Sequence, residues 1–297
     1  MAARDIHGPN PPWEGGFSVV GKPQRKPDGL SKATGEAVYT DDIQLPGMLH
    51  AKTLRSPHPH ARIKSIDVSK ALAMPGVHAA ITGRDLPARY GVIPWTEDET
   101  ALAVDKVRFV GDPVAAVAAV DEDTATRALD AIVVEYEALH AFLTPEDSLA
   151  NAEPKIHEDK KNNVSKHVLL DFGDVDGAMA GADVVLEGEF GFHSTTHAAI
   201  EPHCAVARLS PDGVLTVWSA TQITHYVHRA LAKVLGLPEQ QIRVIQPCLG
   251  GAFGGKSDPF SLEFCAAKLA MVTGRPVKML YTREEVFYAH RGRHAMK

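Results

Sequence analysis

Four glycines surround a single phenylalanine near the end of the chain, in the run Gly250-Gly251-Ala252-Phe253-Gly254-Gly255. Glycine loses more backbone entropy on folding than other residues, so this density indicates positive φ angles or the close approach of another group. An exposed loop of this kind can bind an anion or an oxo group through its N–H groups. The sequence therefore predicts a backbone binding loop with Phe253 as a flat apolar wall beside it.

The same loop also allows two other interpretations. Residues 250–257 fit the G-x-x-x-x-G-K-[ST] pattern of phosphate-binding loops. That fold needs an apolar strand ending in an aspartate that holds Mg²⁺, whereas the best downstream strand, 277–281, runs into Thr282 and the upstream segment 131–134 ends at Glu135. A P-loop nucleotide-binding module is therefore the alternative from another class of protein. A purely structural glycine turn is the third possibility.

The elements that position this loop are predicted by the hydrophobic pattern. An apolar segment, 242–245, leads into it. An amphipathic helix is predicted over 225–235 and ends at Gly236, since glycine commonly terminates helices. A second helix is predicted from Pro259, which suits a first helical turn, to Gly274.

The remaining pattern predicts an α+β chain with two domains. The first domain, 27–145, follows an irregular N-terminal arm, 1–26, and precedes a polar linker, 146–166; the second domain, 167–297, is predicted to be truncated. The segments predicted as strands are 48–54, 61–67, 77–82, 107–110, 114–120, 132–136, 184–190, 214–219, 242–245 and 277–281, and the shorter helices are 69–74, 123–129 and 174–180. The strand at 277–281 has no partner visible in the local pattern.

Composition excludes several functional classes. The chain has 297 residues, 44% of them hydrophobic and 23% charged, which is ordinary for a globular protein. A net charge of −6 gives no reason to expect nucleic acid or an anionic membrane surface as a partner. No apolar run reaches the roughly 20 residues that span a bilayer. Three dispersed cysteines do not form a disulfide framework or a ligand set for an iron–sulfur cluster. A cytoplasmic location is the prediction.

Several motifs, taken in order, resemble the molybdenum-binding subunit of the xanthine dehydrogenase/aldehyde oxidase family. The glycine loop with its Lys256 matches, and so does Ala220-Thr221-Gln222 some thirty residues earlier. The other matching stretches are Asp28 to Gly35, Tyr39 to Ile43, Arg55 to Ile63, Val107 to Ala115, and Ile200 to His203. The resemblance implies an α/β hammerhead domain followed by the first part of a molybdopterin-binding domain.

The resemblance also implies roles for individual residues. Gln222, Phe253 and Gly254 would be catalytic, with the amides of Phe253 and Gly254 facing the metal and Gln222 against its apical oxygen. Residues near molybdenum would not bond to it directly, because the pterin dithiolene holds the metal. The residues expected to bind the cofactor are Gln222, Gly251, Ala252, Phe253, Gly254 and Gly255.

Three further positions leave questions open. Ser257 stands where the purine-oxidising members have a glutamate, which counts against a purine substrate. Lys256 could pair with a cofactor phosphate or lie on the surface. His193, His197, Glu201 and His203 could be imagined as a zinc site, but packing is the favoured role for Glu201 and His203.

By this resemblance, the chain is the N-terminal portion of a molybdopterin-dependent oxidoreductase subunit. Its middle, with residues 290–293, looks closest to the α subunit of 4-hydroxybenzoyl-CoA reductase, so a small aromatic substrate such as an aromatic acyl-CoA is expected. Hydroxylation of an aldehyde or an N-heterocycle is the alternative. The implied cofactor is molybdopterin, in its cytosine dinucleotide form. The implied partners are a [2Fe-2S] subunit, an FAD subunit and the C-terminal remainder of the molybdenum subunit, so the chain alone is expected to be inactive.

Overall fold

The computed structural model of the chain describes residues 19–20, 22–92, 96–289 and 291–297. The chain forms two units, Met1–Ala37 and Val38–Lys297. In the first unit, the described residues form one helix, α1 (Gly29–Thr34), which ends at Gly35 in the left-handed conformation. Most of the predicted N-terminal arm, 1–26, lies outside the described residues.

The second unit consists of strands and helices that alternate irregularly along the chain. Its strands are β1 (Leu49–Arg55), β2 (Ala61–Asp67), β3 (Val77–Thr82), β4 (Arg89–Tyr90), β5 (Glu99–Thr100), β6 (Lys106–Val107), β7 (Pro113–Ala119), β8 (Val133–Ala138), β9 (Cys204–Leu209), β10 (Leu215–Ser219), β11 (Ile242–Ile245) and β12 (Val277–Leu280). Its helices are α2 (Ser69–Leu72), α3 (Glu122–Asp130), α4 (Pro145–Ala150), α5 (Val175–Ala180), α6 (Thr224–Leu235), α7 (Ser261–Thr273) and α8 (Arg283–Tyr288).

One mixed sheet organises this unit. Its order is β11-β10-β9-β12-β1-β7-β3, and smaller sheets are formed by β6-β2-β8 and by β4-β5. Strands from the first half of the chain, β1, β3 and β7, therefore pair in the same sheet as strands from the second half. Mixed strand directions with interspersed helices confirm the predicted α+β class.

Helix α7 forms the centre of the core beneath the glycine loop. Every residue from Ser261 to Ala267 is buried, and the helix packs against β9, β12 and α6. A helix that is apolar on all sides belongs inside a protein, which explains this position. It ends as predicted at Gly274, which adopts φ 65°. Helix α6 ends as predicted at Gly236, also at φ 65°.

The structure supplies two partners for the strand predicted at 277–281, for which none was visible in the local pattern. Strand β12 pairs with β9 in antiparallel and with β1 in parallel orientation. Its Leu49↔Val277 register joins residues more than two hundred positions apart. A local pattern carries no signal for so distant a pairing.

Three other predicted segments differ in the structure. Residues 184–190 form no strand and are exposed, because no strand among the described residues pairs with them. Only the start of the predicted strand 107–110 is a strand, since Phe109 and Val110 lie in the following turn. The polar segment after Thr144 contains helix α4, which that threonine caps by accepting from the Asp147 N–H. None of the helices in the described ranges combines the length and apolar character needed to cross a membrane.

Candidate functional site

The glycine loop connects β11 to α7 and contains an unusual backbone conformation. Gly251 and Gly254 adopt φ angles of 101° and 92°, and Phe253 between them adopts 55°. The left-handed region is uncommon for a residue with a bulky side chain and costs about 1–3 kcal/mol. The surrounding contacts must therefore hold the loop in this shape.

Consecutive N–H groups at the tip of the loop have no hydrogen-bond acceptor. Among the described residues, the N–H groups of Gly251, Ala252 and Phe253 make no hydrogen bond. The later part of the loop is closed, since the Gly255 N–H donates to the Ala252 carbonyl at 2.8 Å. A row of uncommitted backbone donors on a rigid turn is suited to bind an anion or an oxo oxygen.

Gln222 fastens the loop from the side. Its Oε1 accepts from the N–H of Gly254 at 3.1 Å, from the N–H of Lys256 at 3.3 Å and from the Ser257 hydroxyl at 3.3 Å. The backbone N–H of Gln222 donates to the Lys256 carbonyl at 2.8 Å. Because three donors converge on it, this position requires the amide oxygen and not the amide nitrogen. Nε2 is left without a hydrogen bond within the described part of the chain.

The N–H groups of Phe253 and Gly254, for which the sequence predicts the same role, have different environments in the structure. The Gly254 N–H, expected to face a metal oxygen, is instead bonded to Gln222 in the structure. The Phe253 N–H and the Gln222 Nε2 both remain available as donors. Gln222 and Phe253 are both exposed, so both donors belong to residues that a ligand can reach.

Phe253 presents its ring outside the core. The side chain is 76% exposed, and its ring lies over Gly251. A Cβ on Gly251 would lie 3.4 Å from the nearest ring atom of Phe253 and 3.6 Å from the Ala199 methyl. The loop thus offers a flat aromatic surface beside the row of N–H groups, as the sequence predicts.

A buried ion pair forms the base of the loop. Glu201 Oε2 accepts from Lys256 Nζ at 2.8 Å and from the Gly250 N–H at 2.9 Å. The Lys256 side chain is 1% exposed, and burial lowers its pKa while the Glu201 carboxylate opposes that shift. Lys256 therefore has neither of the two positions considered from the sequence, on the surface or beside a cofactor phosphate. Local sequence carries no signal for this pair, whose members lie 55 residues apart.

Two histidines support the loop from behind. His197 lies against Gly255, where an added Cβ would be 2.8 Å from its Nδ1. The His203 ring is buried, with Nε2 3.3 Å from the Gly255 carbonyl and an edge-on contact to Phe260. The packing role predicted for Glu201 and His203 fits these contacts. No set of three metal-ligating side chains is found among the described residues, and His193 lies on the exposed segment before this site.

These contacts argue against a phosphate-binding loop. In such a loop the lysine reaches the nucleotide phosphates, and a helix follows directly. Here Lys256 is held by Glu201, and Ser257 is hydrogen-bonded to Gln222. Helix α7 begins only at Ser261.

A buried carboxyl group lies one turn into α7. Glu263 Oε2 accepts from the Phe260 N–H at 2.9 Å, and Oε1 accepts from the Ser219 hydroxyl at 2.8 Å. Burial raises the pKa of Glu263 to about 7. The interactions connect the start of α7 to the end of β10, which precedes Gln222.

Two family models match this chain. The a/b hammerhead domain of aldehyde oxidase and xanthine dehydrogenase matches residues 34–140, and the molybdopterin cofactor-binding domain matches residues 156–297. The glycine loop, Gln222 and the Glu201–Lys256 pair all fall within the second match.

Proteins similar to the chain include two curated relatives and one solved structure. The nicotinate dehydrogenase large molybdopterin subunit of Eubacterium barkeri is 42% identical, and the match covers 94% of this chain and 65% of that subunit. The xanthine dehydrogenase molybdenum-binding subunit of Escherichia coli is 37% identical, with coverages of 90% and 37%. The aldehyde oxidoreductase from Desulfovibrio gigas superposes with a TM-score of 0.81 at 31% identity, with coverages of 90% and 31%. The chain spans less than two thirds of the length of each.

Proposed function

The chain belongs to the xanthine dehydrogenase/aldehyde oxidase family, with its hammerhead and molybdopterin cofactor-binding domains, and we propose that it is the first part of a molybdenum-dependent oxidoreductase subunit. Because the chain spans only part of its relatives, the remainder of the subunit would be supplied by further sequence or by another chain. The exposed apolar side chains of 184–190 provide a surface for that remainder.

The observation that carries this proposal is the set of uncommitted donors beside an exposed aromatic ring. The N–H groups of Gly251, Ala252 and Phe253, with the Nε2 of Gln222, are suited to a strongly accepting oxygen on a cofactor. Bound molybdopterin would supply two-electron redox chemistry, and the protein would supply binding and orientation. Gly254 and Gly255 would contribute by forming the turn.

Each residue of the loop then has a specific task. The Phe253 N–H and Gln222 Nε2 would donate hydrogen bonds to the cofactor oxygen without adding charge. The Phe253 ring would lie against a planar substrate and exclude water from one of its faces. Gly251 permits the turn, because its φ of 101° is a conformation that residues with a side chain rarely adopt. Lys256 and Glu201 would hold the loop in place without touching the substrate.

The substrate class that we favour is an N-heterocycle or an aldehyde. The similar proteins are named for nicotinate, xanthine and aldehyde chemistry, and an exposed Phe253 suits a planar ring. The resemblance to 4-hydroxybenzoyl-CoA reductase stays a prediction, with an aromatic acyl-CoA as the corresponding substrate. Ser257, hydrogen-bonded to Gln222, provides no carboxylate for a purine ring.

The proposed function also requires a path for electrons. The described residues offer no cluster of cysteine ligands, so the electrons would pass to partner subunits. We propose a [2Fe-2S] subunit and an FAD subunit for this task, and the cytosine dinucleotide form of molybdopterin as the cofactor.

The test uses the assembly that contains this chain, purified from cells that make molybdopterin. Metal analysis and pterin fluorescence should find molybdenum and pterin in stoichiometric amounts. Dye reduction should detect turnover of nicotinate or benzaldehyde and little turnover of xanthine, whereas oxidation of a reduced dye by 4-hydroxybenzoyl-CoA would support the reductase prediction instead. Phe253→Ala should reduce turnover of the aromatic substrate while molybdenum content is retained. An assembly without molybdenum that binds Mg-ATP, and loses that binding in Lys256→Ala, would refute the proposal.

A further inference from the structure

The segment 184–192 is exposed to solvent although several of its side chains are large and apolar. The side chains of Val184, Leu186 and Phe190 are 73%, 89% and 84% exposed. Among the described residues, the backbone groups of 184–190 form no hydrogen bond. Exposed apolar side chains on a backbone without hydrogen bonds are typical of a segment that pairs with another strand.

The apolar side chains of this segment recur at every second position. Because successive side chains of an extended chain point to opposite faces, one face would carry Val184, Leu186, Gly188, Phe190 and Phe192. The other face would carry Val185, Glu187, Glu189 and Gly191. One face is thus apolar and the other mainly acidic, which predicts a strand with one covered face.

The residues just after this segment already pair with 293–296. Phe192 and Met296 exchange both backbone hydrogen bonds, at 2.9 and 3.0 Å, and Thr195 and Arg293 exchange theirs at 3.1 and 2.9 Å. Both pairs are antiparallel and lie three positions apart on each segment, so they share one register. Lys297 Nζ also lies 3.1 Å from Glu189 Oε1, and these residues would be diagonal neighbours in the same register.

Continuing this register assigns a facing position to each residue of 184–190. Each step beyond Met296 moves the facing residue one position back from Phe192. A residue that follows Lys297 directly would therefore face Phe190, and later positions would face Gly188, Leu186 and Val184. No loop is needed between Lys297 and this pairing, so a segment joined to Lys297 would pair with little additional loss of chain entropy.

We propose that 184–192 forms one strand of an antiparallel pair and that the segment directly following Lys297 in the full subunit forms the other. The inference rests on the proposed function only in taking the chain as the first part of a longer subunit. Two curated relatives support that premise, because the chain covers 65% of one and 37% of the other. The partner segment is apolar where it faces Leu186 and Phe190, and polar or basic where it faces Glu187 and Glu189.

Residue-resolved hydrogen exchange tests the pairing. It is measured on this chain and on the same chain continued by the natural sequence beyond Lys297. In the continued chain, the amides of Leu186, Gly188 and Phe190 should exchange at least about a hundredfold more slowly, because they donate across the new pair.

Disulfide formation tests the register. Glu189→Cys is combined with a cysteine at the second position after Lys297, which faces it in a pair without mutual hydrogen bonds, where the Cα atoms approach to about 4.5 Å. Glu187→Cys with the same second cysteine is the matched control, since it is displaced by two positions. Both variants carry Cys248→Ser, because Cys248 is the partly exposed native thiol. Mild oxidation should cross-link the first combination at least about tenfold faster.

Three results would overturn the proposal. The first is equal exchange at 186–190 in both chains, and the second is equal cross-linking of the two cysteine combinations. The third is protection of the same amides in the shorter chain that increases with its concentration, because a second copy would then be the partner. None of these measurements depends on molybdenum content or turnover, so a failure of the proposed redox function would leave them unchanged.

Discussion

Replacing Lys256 by methionine is expected to destabilise the chain by about 3–5 kcal/mol, the usual cost of breaking a buried ion pair by removing one partner. The Lys256 side chain is 1% exposed and that of Glu201 11%, so water screens this pair poorly. Methionine fills a similar volume, but it leaves the Glu201 carboxylate with only the Gly250 N–H as a donor. Since Glu201 Oε1 is already buried without a partner, the carboxylate has no other compensation among the described residues.

Urea unfolding followed by tryptophan fluorescence measures this cost. With a slope of about 3 kcal/mol/M, the expected loss moves the midpoint down by roughly 1 to 1.7 M. The matched control is Lys233→Met, which removes the partner of Glu97 from a pair whose side chains are 43% and 45% exposed. Exposed pairs contribute about 0–1 kcal/mol, so its midpoint should hardly change.

A double-mutant cycle isolates the interaction of the two side chains. Glu201→Gln keeps an acceptor for the Gly250 N–H but leaves the Lys256 ammonium buried, so it should also be costly alone. The double variant, with Lys256→Met, should be more stable than the sum of the single losses implies, by about 2 kcal/mol or more. Equal midpoints for Lys256→Met and Lys233→Met, or strictly additive losses, would refute the description of Lys256 as a buried structural cation.

Three further predictions concern the loop and the helix behind it. Phe253→Gly should keep or raise the free energy of unfolding by up to about 1 kcal/mol, because it relieves a φ of 55° at a residue that is 76% exposed; a clear loss in urea unfolding would show that the ring is needed for stability. Gly250→Ala should cost about 1–3 kcal/mol, because the new Cβ would lie 2.6 Å from the Glu201 Cβ, whereas Gly191→Ala, with nothing within 4 Å, should be nearly neutral in the same assay. The pKa of Glu263 is raised to about 7 from an ordinary 4.5, so its contribution to the free energy of unfolding is greatest below pH 4.5 and falls by about 3 kcal/mol as pH rises to 7. The free energy of unfolding, measured from pH 5 to 8, should therefore change less with pH in Glu263→Gln. A profile identical to that of the unaltered chain would contradict this assignment.

Elements that depend on interactions within a few residues were predicted from the sequence, whereas strand pairings between distant segments were not. Helices α6 and α7 follow from apolar spacing and from glycines just beyond their ends, and α3 has a local cap in Asp121, which accepts from the Thr124 N–H. These signals are contained within a few residues. The pairing of β12 with β1, in contrast, is set by packing between segments more than two hundred residues apart.

The candidate site shows the same limit. The glycine spacing and the aromatic residue predicted a loop with free backbone donors, and the structure has such donors at 251–253. The sequence could not predict which of these N–H groups remain without an acceptor. The Gly254 N–H donates to the side-chain oxygen of Gln222, which lies 32 residues earlier in the chain. The composition of 184–190 predicted a strand, but a local pattern cannot supply the neighbouring strand with which such a segment must pair.

The shape of the loop follows from contacts on its inner side. Glu201 holds both Gly250 and Lys256, Gln222 holds Gly254, and the rings of His197 and His203 fill the space behind Gly255. These contacts stabilise the strained backbone at Phe253 without using the N–H groups of 251–253. The protein thus offsets the strain of a rigid turn with buried interactions and leaves its outer donors uncommitted. Such an arrangement needs little reorganisation when an acceptor binds, which is the physical basis for our proposal that a cofactor binds at this face.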